Sequence, residues 1–324
     1  MITTYCSVPE GLRAYPGFVT GDHLARARWI DLFEPTPEEE AHAEQVLGVD
    51  LPTREEMRAL EDSARLFEER GAVYLTATII VNSEGEYPRT DDLSFVLTPR
   101  CLVTVRYATP KAVTLFAERA SRRPPSGAAD AVLLGLLDAF IERIALSIDR
   151  VGRELDDLVH RVLSPEHDAR RVRHDYAAML RQLERNQVLL ARARASLASL
   201  HRLIGFVSRP TLEFDLAQDF RPRAATLRHD LQSLTDQTAF LANNLSFELA
   251  AILGMINIEQ NGIIKIFSVA AVVFLPPTLV ASIYGMNFGV MPELAWRYGY
   301  AWALGAMVGS AVVTYYFFKR RGWL

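Results

Sequence analysis

The sequence predicts a membrane protein in which an α/β domain is followed by a long α-helical stalk and two C-terminal transmembrane helices. Three observations lead to this fold class. The first 125 residues alternate short Val-, Ile- and Thr-rich runs with helix-start signals, which is typical of an α/β domain. The following segments have a helical pattern of apolar residues. Beyond Lys265, two uncharged runs are each long enough to cross a bilayer.

The distribution of charge excludes several classes of protein. Only five charged residues follow Lys265, which rules out a purely soluble globular protein, and the apolar material is one short block, which rules out a many-helix transporter. The whole chain has a net charge of −4 and the last 59 residues one of +3, so residues 1–265 carry −7. Such a surface attracts cations and does not suit nucleic acid. Cys6 and Cys101 form no disulfide framework, and the N-terminal segment lacks a secretory signal, so we expect this part to lie in the cytosol.

A cytosolic α/β domain is predicted over residues 1–125. Thr36 is the expected N-cap of one helix, with Pro37 at its first position. Thr53 is the expected N-cap of another, with Glu56 completing a capping box. Strands are predicted at 73–81, 95–98 and 102–107, the last two paired across Pro99-Arg100.

Long helices follow the α/β domain. A cytosolic helical arm is predicted over residues 126–221, with one helix from Ala128 to about Leu163 and another from about Glu166 to Phe206. A stalk helix is predicted over residues 222–284, so that one continuous helix enters the membrane.

The two membrane spans are predicted at about 264–284 and at 298–318. Of the first, 19 residues from Ile266 are strongly apolar, and the second is an uncharged run of 21 residues. The residues between them, 285–297, form a short extracytoplasmic loop, and residues 319–324 form a basic cytosolic tail. Basic residues flank both spans on the same side, and the positive-inside rule therefore places both chain termini in the cytosol.

Polar and small residues lie along one face of the first span. Steps of three and four residues from Asn261 keep to one side of a helix, and five of the seven positions are small or polar. These pore-lining candidates, called the polar stripe below, are Asn261, Ile264, Ser268, Ala271, Leu275, Thr278 and Ser282. Since two helices cannot enclose a pore, conduction requires a ring of copies with this stripe turned to the axis. The alternative is that the polar groups bond within the helix pair.

Two further features concern helix packing. Pro276-Pro277 lies inside the first span and removes the donors for the carbonyls of Val272 and Val273. Gly305-x-x-x-Gly309 gives the second span a small-residue face, which we interpret as packing against the first span rather than as a dimer seam.

A specific motif follows the first span. The segment from Tyr284 to Leu294, which contains Gly285-Met286-Asn287, resembles the signature of the CorA family of magnesium channels. The resemblance also includes Gln260-Asn261, Lys265, Pro276-Pro277-Thr278 and the terminal Lys-Arg-Arg-Gly-Trp-Leu, and more loosely Trp29-Ile30-Asp31-Leu32, residues 51–57 and residues 74–78.

This resemblance implies a CorA-like funnel and a homopentamer in a bacterial cytoplasmic (inner) membrane. It implies that Gly285, Met286 and Asn287 form the selectivity filter, that Asn261 is a second pore asparagine, and that cytosolic Mg²⁺ closes the channel. Met286 favours Mg²⁺ as the transported ion, with Co²⁺ and Ni²⁺ also carried, because zinc-handling relatives usually depart from this methionine. The sequence does not identify which carboxylates sense the ion.

The chemistry of Mg²⁺ agrees with these roles. The ion loses water slowly, so a filter needs oxygen acceptors that contact its hydration shell, and rings of Asn287 and Asn261 would contact Mg²⁺ through water. Glu293 near the outer mouth would concentrate cations, or else is a solvated loop charge. No catalytic or nucleotide-binding motif is present, so we do not expect an enzyme. The alternatives are a zinc or cobalt transporter of the same architecture and a membrane-anchored regulatory or scaffold protein.

Overall fold

The structure, a computed structural model, describes residues 1–18, 25–58, 65–85, 87–122, 129–163, 176–287, 289, 291–292 and 296–321. The chain divides into two compact units, Met1–Leu249 and Ala250–Leu324. The predicted division into an α/β domain, a helical arm and a stalk is a finer one than these two units, and it stays a prediction.

A seven-stranded sheet forms the centre of the first unit. The strands are β1 (Ile2–Val8), β2 (Gly11–Pro16), β3 (Ala27–Phe33), β4 (Leu66–Glu69), β5 (Ala72–Val81), β6 (Arg89–Leu97) and β7 (Leu102–Arg106). Their order in the sheet is β2-β1-β3-β7-β6-β5-β4. Strands β3 and β7 are parallel, and the other neighbouring pairs are antiparallel.

The predicted strand pair is present, with β6 and β7 meeting at Leu97 and Leu102. Strand β6 begins at Arg89, well before the predicted residue 95, because its polar start is satisfied inside the sheet. The Asp92 carboxylate accepts a hydrogen bond from Thr78 at 2.7 Å and one from Arg65 at 2.6 Å. The paired carboxylate therefore allows a strand where hydropathy alone does not indicate one.

Helices α1 (Pro37–Leu47) and α2 (Arg54–Met57) begin as the sequence predicts. Thr36 caps α1 with Pro37 in the first turn, and Thr53 and Glu56 form the expected capping box of α2. Both helices lie against one face of the sheet, where Ala43 and Met57 join the buried core.

The longer helices of the first unit are α3 (Lys111–Arg122), α4 (Ala129–Leu163) and α5 (Tyr176–Val207). Phe140 of α4 packs edge to face on Phe95 of β6, with ring centroids 6.3 Å apart. The Ser199 hydroxyl of α5 accepts a hydrogen bond from the Thr78 backbone N–H at 2.9 Å. The predicted arm helices are therefore present over 129–163 and 176–207, whereas residues 123–128 and the predicted start of the second helix lie outside the described residues.

The last two helices are α6 (Phe220–Tyr284) and α7 (Gly299–Arg320). Helix α6 is 65 residues long and continues through Pro276 and Pro277. By length and composition, both helices are apolar enough to cross a membrane. The first part of α6 belongs to the first unit, where Leu231 and Leu245 are buried.

Candidate functional site: a polar stripe and its terminal motif

The polar stripe is open along its whole length. All seven of its residues are exposed within the chain, including the apolar Ile264 at 61% and Leu275 at 65%. An exposed row of this kind on a helix that spans a membrane must face lipid, water or another copy of the chain.

A second set of α6 residues is covered instead. Val269 is buried, and the others are half-buried; this shielded face consists of Val269, Val273, Pro276, Pro277, Val280 and Tyr284. At about 100° per residue, the shielded face points to the side of α6 opposite the polar stripe. Gly299 and Ala303 are the buried residues of α7, and the part of α6 from Ala250 onward belongs to the same compact unit as α7. We infer that the shielded face packs toward α7, which leaves the polar stripe free.

Two hydroxyl groups of the stripe are fixed by the helix itself. Thr278 Oγ1 donates to the Phe274 carbonyl at 2.7 Å, and Ser282 Oγ donates to the Thr278 carbonyl at 2.8 Å. This is the local bonding that was the alternative to a water-lined path, and for these two residues it is present. These hydroxyl groups can still contact a hydrated cation. A hydroxyl that donates its proton to the helix keeps its oxygen lone pairs, which can accept hydrogen bonds from ordered water.

The Gly285-Met286-Asn287 motif begins where α6 ends. The Gly285 N–H donates to the Ala281 carbonyl at 2.9 Å, and the Met286 N–H donates to the Ile283 carbonyl at 3.3 Å, which closes the last turn. Asn287 follows outside the helix and is exposed, as is Met286 at 48%. The structure therefore places the candidate filter directly after the polar stripe on the same chain segment.

Gly285 allows a close approach to the preceding helical turn, and its backbone is not left-handed. Its φ is not positive, unlike the φ of Gly11, Gly17, Gly48 and Gly71. A Cβ at Gly285 would lie 3.1 Å from the Ala281 carbonyl oxygen, which is tighter than ordinary van der Waals contact. This contact is not visible in the sequence, because it depends on how the last turn of α6 closes.

One packing prediction is wrong. Gly305 and Gly309 are exposed, and a Cβ at either position would meet nothing within 4 Å beyond its own helix backbone. The buried small residues of α7 are instead Gly299 and Ala303. Small residues permit close approach but do not decide which face a neighbouring helix takes.

The acidic side chains form no preformed metal centre within the part of the chain that is described. No group of three or more His, Cys, Asp or Glu side chains there is arranged to hold an ion. Burial, helped by the nearby Glu142 carboxylate, raises the pKa of Asp138, and burial also raises that of Glu40. Glu293, the candidate for the outer mouth, lies outside the described residues.

Comparison with known proteins decides the family. The model of the family of CorA-like Mg²⁺ transporter proteins matches residues 25–320. The chain belongs to this family. The predicted resemblance to the CorA family is thereby confirmed. The prediction that the chain is not an enzyme is also confirmed, because the family consists of transporters.

Relatives of similar length support the assignment. The magnesium transport protein CorA of Haemophilus influenzae is 34% identical over 302 residues, which cover 93% of each chain. The CorA proteins of Pasteurella multocida and Escherichia coli K12 are each 35% identical, covering 94% and 93% of both chains.

Solved structures establish the fold. The complete CorA magnesium transporter from Methanocaldococcus jannaschii superposes with a TM-score of 0.74 at 19% identity, covering 100% of this chain and 99% of that one. The full-length CmaX protein gives 0.71 at 19% identity, covering 99% and 97%. The predicted fold class, an α/β domain with a long helix and two C-terminal apolar helices, is confirmed.

Proposed function

We propose that the protein is a homopentameric channel that carries Mg²⁺ into the cell down its electrochemical gradient. Two facts support transport of this ion: membership of the CorA-like family and the names of relatives that match over nearly the whole chain. The observation that carries the channel mechanism is the position of the polar stripe, which lies on the side of α6 opposite its shielded face.

The opposed faces of α6 require several copies. One face is directed toward α7, so a single α6–α7 pair has no second wall around the polar stripe. Copies arranged about an axis supply that wall, each turning Asn261, Ser268, Thr278 and Ser282 inward. The number five comes from the resemblance to CorA channels.

The filter would recognise an ion that keeps its water. Mg²⁺ is usually held in proteins with several retained waters, so acceptors at outer-shell distance suit it better than a cage of carboxylates. Rings of Asn287 and, deeper, Asn261 would provide side-chain carbonyl oxygens, with Gly285 and Met286 shaping the mouth. Thr278 and Ser282 would add acceptors along the path, because their protons are already used by the helix. Glu293 would raise the cation concentration outside the filter.

The membrane potential drives entry. We place the protein in the bacterial inner membrane with both termini in the cytosol, as the basic flanks of the two spans indicate. An inside-negative potential is worth about 2.3 kcal/mol per charge per 100 mV, and therefore about twice that for a divalent ion. No nucleotide hydrolysis is needed for influx on this scale.

Cytosolic Mg²⁺ would close the channel. Residues 1–265 carry a net charge of −7, so a cation that binds preferentially to the closed state would shift the equilibrium toward it. In proteoliposomes, chelation of Mg²⁺ on the side of the cytosolic domain should raise the flux. An unchanged flux after chelation would remove the regulatory role and leave conduction intact.

The filter assignment is tested with Asn287→Ala. The variant should form the wild-type oligomer but lose Mg²⁺ uptake in Mg²⁺-starved cells that lack other transporters. The matched control is Ser310→Ala in α7, whose hydroxyl donates within its own helix to Met307 at 2.8 Å and which should leave uptake intact. Wild-type uptake by Asn287→Ala would refute the filter, and a purified oligomer without any ion flux would favour the membrane-anchored scaffold.

The identity of the ion is tested separately. Cobalt hexaammine, which mimics a hydrated ion, should compete with Mg²⁺ if the pore takes the ion with its water. Flux of Co²⁺ and Ni²⁺ alongside Mg²⁺ is expected, whereas Zn²⁺ flux that ignores the mimic would favour a zinc transporter.

A further inference from the structure

A cavity of about 440 Å³ lies between the last turn of α6 and the beginning of α7. Ala281, Tyr284 and Gly285 line one wall, and the other wall is formed by Trp296, Arg297 and the first turns of α7. Gly285 is therefore shared between the candidate filter and this outer cavity.

The described lining of the outer cavity is mainly apolar and carries one charge, with two tyrosine side chains beside it. Arg297 is its cation, Leu304 and Met307 lie farther along α7, and no carboxylate is among the described lining residues. Gly299 and Ala303 leave room for the cavity, because their side chains are absent or small. A guanidinium group beside an apolar cleft is suited to a ligand with a phosphate at one end and hydrocarbon at the other.

The position of the cavity indicates that lipid, rather than water, surrounds it. Both helices are apolar enough to cross a membrane, and Trp296, Tyr298 and Tyr300 cluster at the start of α7. Tryptophan and tyrosine concentrate at the level of lipid headgroups. A cavity at this level is filled from the bilayer rather than from the aqueous phase.

We propose that the outer cavity binds one anionic phospholipid. Its phosphate would bind Arg297, and an acyl chain would lie along Leu304 and Met307. Charge complementarity favours an anionic lipid, because Arg297 is the charged group among the described lining residues. This inference rests on the proposed membrane position and deepens the proposed channel, since the lipid would fill the space behind Gly285 and support the last turn of α6.

Native mass spectrometry of the full-length oligomer with phosphatidylglycerol tests the binding step. Arg297→Gln should weaken lipid retention about tenfold, the size expected when a charge-assisted hydrogen bond is lost. Arg297→Lys should retain most of the binding, which a purely structural role of the arginine would not allow. Arg320→Gln, at the other end of α7, is the matched control and should bind as the wild type does.

Three results would overturn the proposal. The first is equal lipid retention by Arg297→Gln and the wild type. The second is full competition by inorganic phosphate, which would mean that the site recognises the anion alone. The third is loss of oligomer mass in Arg297→Gln, which would mean that a second copy of the chain covers the cavity.

Flux measurements separate this inference from the proposed function. Mg²⁺ flux in vesicles of phosphatidylcholine alone should be several-fold lower than in vesicles that also contain phosphatidylglycerol, and Arg297→Gln should lose this dependence. Lipid binding without any Mg²⁺ flux would reject the channel but not the lipid site. Flux that requires Asn287 but is indifferent to phosphatidylglycerol would reject the supporting role of the lipid but not the channel.

Discussion

Replacement of Asp31 by Asn should destabilise the first unit strongly. Asp31 is 4% exposed, and its carboxylate accepts hydrogen bonds from Arg106 Nη2 at 2.8 Å, Arg106 Nε at 3.0 Å and Thr104 Oγ1 at 2.7 Å. Thr104 in turn accepts from the Trp29 indole at 2.9 Å. This network joins β3 to β7, the parallel pair of the sheet, so its loss acts at the centre of the fold.

The magnitude follows from burial. Asn keeps the shape of the side chain but leaves the Arg106 charge, which is 13% exposed, without its counter-charge. Breaking one partner of a buried ion pair typically costs about 3–5 kcal/mol. For a unit of this size, that cost corresponds to a fall of roughly 10 °C in the melting midpoint.

An exposed ion pair provides the control. Arg70 and Asp50 lie 2.7 Å apart, as close as the buried pair, but their side chains are 64% and 71% exposed. Asp50→Asn should therefore cost no more than about 1 kcal/mol. Thermal melting of the full-length protein in detergent, followed by circular dichroism, measures both variants. Equal shifts would refute the reasoning that burial, and not distance, sets the energy of these pairs.

Two further predictions concern the β5–β6 turn and the filter. Hydrogen bonds from Lys111 and then Arg143 lower the pKa of Glu84 from 4.5 to about 2, so the folded state binds this proton less tightly than the unfolded state does. The resulting stability is present above pH 4.5 and is lost as the pH falls toward 2. Because the Glu84 side chain is 45% exposed, we expect this stability to be about 1 kcal/mol. Glu84→Gln should remove the pH-dependent stability, which is measured by thermal melting over a series of acidic pH values. Gly285→Ala should reduce Mg²⁺ uptake without loss of the oligomer, because its Cβ would press on the Ala281 carbonyl. Gly262→Ala, where a Cβ meets nothing within 4 Å beyond its own helix backbone, should leave uptake unchanged, and equal effects of the two alanines would contradict the contact argument.

Local signals in the sequence predict much of the fold. The caps at Thr36 and Thr53 are confirmed because capping depends on residues three positions apart. The end of α6 at Tyr284 agrees with the predicted limit of the first span, since the loss of helix coincides with the loss of apolar residues.

Features that depend on distant residues escape the same reasoning. Strands β1, β2, β3 and β4 are not predicted, because short strands are recognised by their partners rather than by their own composition. The parallel pairing of Asp31 with Thr104 joins residues far apart in the chain, and it explains why an acidic residue is buried in β3. The outer cavity is equally hidden, because its walls come from two helices.

The two faces of α6 connect the fold to the proposed assembly. A lone chain in a bilayer would expose Ser268, Thr278 and Ser282 to hydrocarbon, where hydroxyl oxygens without water partners carry a free-energy cost. Packing against α7 does not relieve this cost, since the shielded face lies on the opposite side. A ring of copies relieves it by enclosing the stripe around water, and the same enclosure creates the ion path. We infer that assembly and conduction depend on the same residues, so replacing Asn261, Ser268, Thr278 and Ser282 together by alanine should weaken both the drive to assemble and the flux. Oligomer mass and Mg²⁺ flux measured on one sample test this, and full flux from a monomer would refute it.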